Sequence, residues 1–282
     1  MKNTESQNHR VFEISTRKNE LGQMLSIFKN RKVLMVGYNN LHYDDLIINY
    51  LWMNYEKLRV LPYHELCPQL KRISDLIVNS KGDKFDELTK YKYAHNFESL
   101  DLLAMLFSNK LRVGLKEMQV TMQYHNVREY EGDFNRPVPL NEIDDVISYN
   151  INDVDSTEEL LNRCVKDIEL RLGIEKKYHI KALNKDGVNL GMEIIKTRYL
   201  EKTGLTWDDI KDLRSPCERL CLTDIIFDFI KFEHKDLQDL LRDLKNQCID
   251  PSDNTFKRNF VIGGVQHTFG LGGLPRGVVR LY

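Results

Sequence analysis

The chain has 282 residues, 41% of them hydrophobic, with 41 basic against 42 acidic side chains and a net charge of −1. That is enough apolar material to bury a core in one large or two small domains. The balanced charge excludes a broadly basic binding surface, so any contact with a polyanion has to be local. No apolar run approaches the ~20 residues that cross a bilayer, the first ten residues are polar throughout, and the five cysteines (Cys67, Cys164, Cys217, Cys221, Cys248) form no CxxC pair. The expectation is a cytoplasmic protein with reduced thiols and no membrane partner.

In chain order, Val11 to Ser15 (VFEIS) alternates like a half-buried strand, and Asn19 or Glu20 opens a helix with Leu21, Met24, Leu25 and Phe28 on one face. Val33 to Val36 is a short apolar run ending at Gly37, the pattern of a strand covered on both sides, and helical spacing resumes from Leu46 to Tyr55. Leu66 to Leu88 reads as helical, and Phe97 to Phe107 as core, with Ser99 or Asp101 capping the helix it starts. Residues 124 to 141 read as a loop, and Glu142 to Leu170 as one long helix. Residues 181 to 250 read as mostly helical, with breaks at Gly204 and near Ser215 and Pro216. From Asn259 short β segments and glycine turns follow. A soft boundary falls near residue 180, dividing the chain into 1–180 and 181–282.

Two stretches carry polar chemistry. Gly37 to Asp45 crowds Asn40, Tyr43, Asp44 and Asp45 onto the end of an apolar strand, where α/β sheets place their ligand sites. Tyr149 and Asp153 are four apart on a predicted helix and share a face. Hydrolysis of a phosphodiester with two metal ions requires carboxylates to hold Mg²⁺ or Mn²⁺ and a group that orients the attacking water. Asp44 and Asp153 are carboxylates of that kind, and Tyr149 is a suitable orienter.

Asn40-x-x-Tyr43-Asp44 resembles the second motif, and Tyr149-x-x-x-Asp153 the third, of DEDD-type 3′-5′ proofreading exonucleases in their tyrosine-bearing branch. The two are in the family's order, and the 109 positions from Asp44 to Asp153 are similar to the separation in nuclease domains of phage and family B DNA polymerases. Asp101 sits on the strand-to-helix step where that family carries a structural acid. The stretch GMEIIKTRYLEKTGL and the run FGLGGLP resemble the region joining exonuclease and palm. The resemblance implies an RNase H-like mixed sheet with helices over residues 1–180, then a mainly helical region leading toward a palm that is not encoded. It implies Asp44 and Asp153 as metal ligands, Tyr149 as positioner of the nucleophilic water, and Asn40 and Tyr43 against the single-stranded 3′ end of DNA.

The chain departs from the family in one respect that matters. No Asp-x-Glu precedes residue 44, although that pair supplies carboxylates to both ions. Val11-Phe12-Glu13 lacks the Asp and lies only 31 positions before Asp44. On this reading VFEIS is the third strand, the first two are absent, and the chain is a fragment or split-gene subunit of a polymerase. Losing a metal would cost on the order of 10³-fold in rate, and the open sheet edge would invite a complementing polypeptide. The alternative is a noncatalytic module that binds DNA or a polymerase partner. Taken singly, Asp44 is a good helix cap and Tyr149 with Asp153 a solvated face; two motifs in order reverse that balance. Cys217 with Cys221 lacks further metal ligands, Gly270 to Gly273 reads as a turn, and Tyr50, Trp52 and Tyr55 read as packing.

Overall fold

The computed structural model describes residues 1–29, 33–79, 86–94, 96–107, 113–133, 136–213, 219–250 and 256–270. The chain forms two compact units, Met1–Gly204 and Leu205–Tyr282. The architecture is mixed α/β, mostly helical, with two-stranded sheets.

The first unit opens with a polar arm rather than a strand. Ile14 makes only an isolated bridge to Asn19, and the chain turns back at once through Ser15 N–H to Lys18 O (2.8 Å) and Glu20 N–H to Glu13 O (2.9 Å). The strand expected for VFEIS is therefore not formed. Glu13 and Ser15 supply local side-chain bonds to Arg17 that hold a tight turn in place of a ladder. Helix α1 (Leu21–Phe28) follows with Glu20 at its N-cap and no side-chain cap bond; Leu21, Leu25 and Phe28 are buried. Three such burials, about 1.5–3 kcal/mol each, outweigh a missing cap worth about 1 kcal/mol.

Strand β1 (Leu34–Gly37) leads through a single turn of 3₁₀ helix to α2 (Asp44–Met53), α3 (Tyr55–Leu58), α4 (Tyr63–Asn79) and α5 (Asp86–Lys92). Strand β2 (Glu98–Asp101) then pairs parallel with β1, in the register Leu34↔Glu98 to Gly37↔Asp101. A parallel return needs a long crossover, and α2 to α5 provide it. One core gathers Leu21, Leu25, Phe28, Leu46, Tyr50, Leu66 and Ile73, with Trp52 and Tyr55 packed against it, so these aromatics are structural.

After β2 come α6 (Leu102–Phe107), α7 (Leu115–Thr121), α8 (Ile143–Arg163), α9 (Val165–Tyr178) and α10 (Gly187–Thr203). A second core joins Leu100, Leu102, Met105, Met118, Met122, Leu160 and Cys164. The long helix expected over 142–170 is broken at Cys164, whose N–H is shared by the Leu160 and Leu161 carbonyls as its side chain turns into this core. Asp186 caps α10 through Val188 N–H and Asn189 N–H, and Gly204 ends it in the left-handed region at φ 70°.

The second unit holds α11 (Trp207–Ile210), β3 (Leu220–Cys221), α12 (Lys235–Lys245), β4 (Cys248–Ile249), β5 (Lys257–Ile262) and β6 (Val265–Gly270). It is less helical than its composition suggested. Antiparallel pairing of β3 with β4 sets Cys221 opposite Cys248, Cα atoms 4.0 Å apart, and the two form a disulfide. This corrects the expectation that all thiols are reduced; sequence spacing alone does not show which cysteines a ladder will oppose. The β5–β6 hairpin closes through Gly263 and Gly264, both at positive φ, as the glycine-rich texture predicted. Ser215, Pro216, Cys217 and the segment 271–282 lie outside the described residues. Among the described residues, no helix is long and apolar enough to cross a membrane.

Candidate functional site

The carboxyl ends of β1 and β2 lie side by side, and both deliver acids. Asp101 closes β2 fully buried and accepts from Asn39 N–H (2.8 Å), Leu41 N–H (3.2 Å) and Leu103 N–H (2.9 Å). It thus fastens the loop after β1 to the start of α6, and of the two caps the sequence offered for that helix, Ser99 and Asp101, it is Asp101 that serves. Asn39 takes a left-handed conformation at φ 61° to make that turn. Across from it Asn40 is 5% exposed; its amide donates to Ser99 Oγ (2.6 Å) and Asp45 Oδ1 (3.3 Å). Its Oδ1 is buried without a hydrogen-bond partner. Gly37 lies directly beneath, where a Cβ would stand 2.7 Å from Asn40 Cγ.

Asp44 is the first residue of α2, and no side chain caps that helix, so the capping role open to a lone Asp is not the one it takes. The residue as a whole is exposed, yet protein atoms crowd around its carboxyl. That desolvation first, and the Asp45 carboxylate second, push it up to about 6, with Asp101 adding to the effect. Burial also raises Asp45, against the bonds from Ser99 and Asn40 that favour its charge. Tyr43 turns to α4, its hydroxyl 2.7 Å from Ser74 Oγ.

Tyr149 and Asp153 do share one face of α8, and the partner they meet there is Lys116 on α7. The Lys116 ammonium pairs with Asp153 Oδ1 and stands 4.5 Å from the Tyr149 ring centroid. Gln119, one turn along α7 and fully buried, donates to Asp153 Oδ1 (3.2 Å) and to Ser156 Oγ (2.7 Å). Burial raises the Tyr149 phenol above its ordinary value, opposed by Lys116, so it stays protonated and able to donate at neutral pH. A cleft of about 610 Å³ runs between α8 and residues 123–128, with Asn126, Arg128, Ser148 and Asn152 among the residues that line it.

The structure brings together Asn40 with Asp45, and Tyr149 with Asp153. It gives Asp44 and Asp153 different immediate neighbours: acids for the first, Lys116 and Gln119 for the second. Among the described residues, no three His, Cys, Asp or Glu side chains gather as a metal-holding group. With the Asp153 carboxylate held by Lys116, Asp44 and Asp153 do not amount to the donor set of a two-ion centre. Lys116 and Gln119 escape notice as site residues in the sequence; the i, i+4 spacing found Tyr149 and Asp153, but no local pattern tells which element will face them. No protein-family model, curated protein or solved structure matches this chain.

Proposed function

We propose that the first unit is an RNase H-like nuclease core and that the chain is the 3′-5′ exonuclease portion of a DNA-directed DNA polymerase, with a proofreading role in replication. The observation that carries the reading is the pairing of Tyr149 with Asp153 on one face of α8, a helix that packs on β1, at whose end Asp44 begins α2. In this reading Asp44 and Asp153 are the metal-binding carboxylates, Tyr149 orients the attacking water, and Asn40 and Tyr43 serve the single-stranded 3′ end. Asn40 does so indirectly, because it is buried and spends its amide on Asp45 and Ser99. Mg²⁺ or Mn²⁺ would supply the Lewis acid. Among the described residues the donors are too few to hold two such ions, so activity of the isolated chain is expected to lie on the order of 10³-fold below that of a complete set.

The second reading is a noncatalytic module that binds DNA or a polymerase partner. It is favoured by the Lys116 ammonium, which already neutralises Asp153. Incubation of a 5′-labelled single-stranded oligonucleotide with the chain and Mn²⁺ separates the two. The nuclease reading expects slow laddering from the 3′ end that Asp153→Ala abolishes and Tyr149→Phe reduces by about 10²-fold. Cleavage no greater than in Asp153→Ala rejects it in favour of the module.

A further inference from the structure

Among the described residues, the β1–β2 sheet is two strands wide, and its outer edges differ. On β2 the Asn184 side chain accepts from Asp101 N–H (2.7 Å) and donates to Ser99 C=O (2.8 Å). It takes the two backbone groups a neighbouring strand would take. Ser99 and Asp101 therefore face outward, and Glu98 and Leu100 make the ladder. Given the register Met35↔Ser99 and Gly37↔Asp101, their partners are Met35 and Gly37. Leu34 and Val36 consequently turn their N–H and C=O groups to the far edge of β1. Among the described residues, no further backbone or side-chain bond reaches them there.

Burial separates the edges in the same way. Strand β2 holds Leu100 and Asp101 fully buried, whereas β1 has no buried residue and Leu34 is 37% exposed. Yet β1 serves both cores, Met35 packing against the one built on α1 to α5 and Val36 against the one built on α6 to α8. A strand added beside β1 would extend both, so it needs apolar residues on both faces, as parallel strands between helix layers have.

We propose that the free edge of β1 is a docking site for an extended, valine- or isoleucine-rich strand of a separate polypeptide. Main-chain hydrogen bonds to Leu34 and Val36 would carry the affinity, and alternate side chains would enter the two cores. The chain's own VFEIS segment is unsuited to this place, because Glu13 and Ser15 make it polar at alternate positions and its local turn engages it. The proposal rests on the geometry of the sheet and not on the nuclease reading, and its test does not read nuclease activity.

Because main-chain pairing tolerates many sequences, a short valine-rich peptide with lysines at both ends is a sufficient probe. Residue-resolved amide hydrogen exchange is expected to find Leu34 and Val36 fast and Met35 and Gly37 protected in the dilute protein. Saturating peptide is expected to slow Leu34 and Val36 roughly tenfold. Val36→Pro removes an outward N–H while leaving the β1–β2 ladder whole, and should abolish the response. The same peptide N-methylated at alternate residues should fail on the unaltered protein, which keeps the test decisive if the proline variant does not fold. Protection of Leu34 and Val36 before peptide is added, no slowing at saturation, or slowing that survives N-methylation would each overturn the proposal. Protection that grows with protein concentration alone would assign the edge to a second copy of this chain and overturn it too.

Discussion

Glu13 is 8% exposed, and the Arg17 guanidinium grips both its oxygens at 2.9 Å while the Ser15 hydroxyl adds a third bond. Those contacts, Arg17 first, hold its carboxyl at about 2. A folded pKa below the unfolded one gives stability that is complete above the ordinary glutamate range and is lost as pH falls toward about 2. Glu13→Gln is expected to cost about 1–2 kcal/mol at neutral pH and much less near pH 2–3, as urea titrations at the two pH values would show. Asp44 has the opposite sign. Its carboxyl is raised to about 6, so its cost appears as pH climbs from about 4 to 6 and is full above that. Asp44→Asn should raise the melting temperature relative to wild type at pH 8 and leave it unchanged at pH 4. The sequence offers both residues simply as acids. That Asp44 stands among acids past the end of an apolar strand was legible from its place after Val33 to Val36; the sign of either shift was not, because Arg17 in one case and Asp45 with Asp101 in the other decide it.

Between elements, the ends of β1 and β2 are joined by side chains as much as by backbone. Asn184→Ala would strip partners from Asp101 N–H and Ser99 C=O together, and a loss of about 2 kcal/mol is expected by chemical denaturation. The helices whose apolar spacing was regular, α1 and α8, were legible because periodicity reports a buried face directly. Strand VFEIS was misread because its alternation is also that of a turn whose polar side chains bond to one another. The break at Cys164 was missed because its cause is the second core, to which Leu160 and Cys164 both belong. Lys116 belongs to the same class of omission: α7 meets α8 only in three dimensions.

For the molecule as a whole, the two units differ in what holds them. Met1–Gly204 has two apolar cores, whereas the buried hydrophobic residues described in Leu205–Tyr282 are Leu240 and Ile249, beside the Cys221–Cys248 bond. That bond closes a loop of sequence separation 27, for which the chain-entropy cost lifted from folding is about 3–4 kcal/mol. Reductant is expected to lower the melting transition of the second unit and spare that of the first, which differential scanning calorimetry would resolve. The crowding at Gly37 constrains the coding sequence as well. Every missense change of one base in a glycine codon adds at least a Cβ, and here that atom would stand 2.7 Å from Asn40 Cγ, displacing the amide that bridges Asp45 and Ser99. Position 37 therefore has no conservative neighbour one mutational step away, and a library of single-base variants should return it as glycine wherever the end of β1 has survived selection.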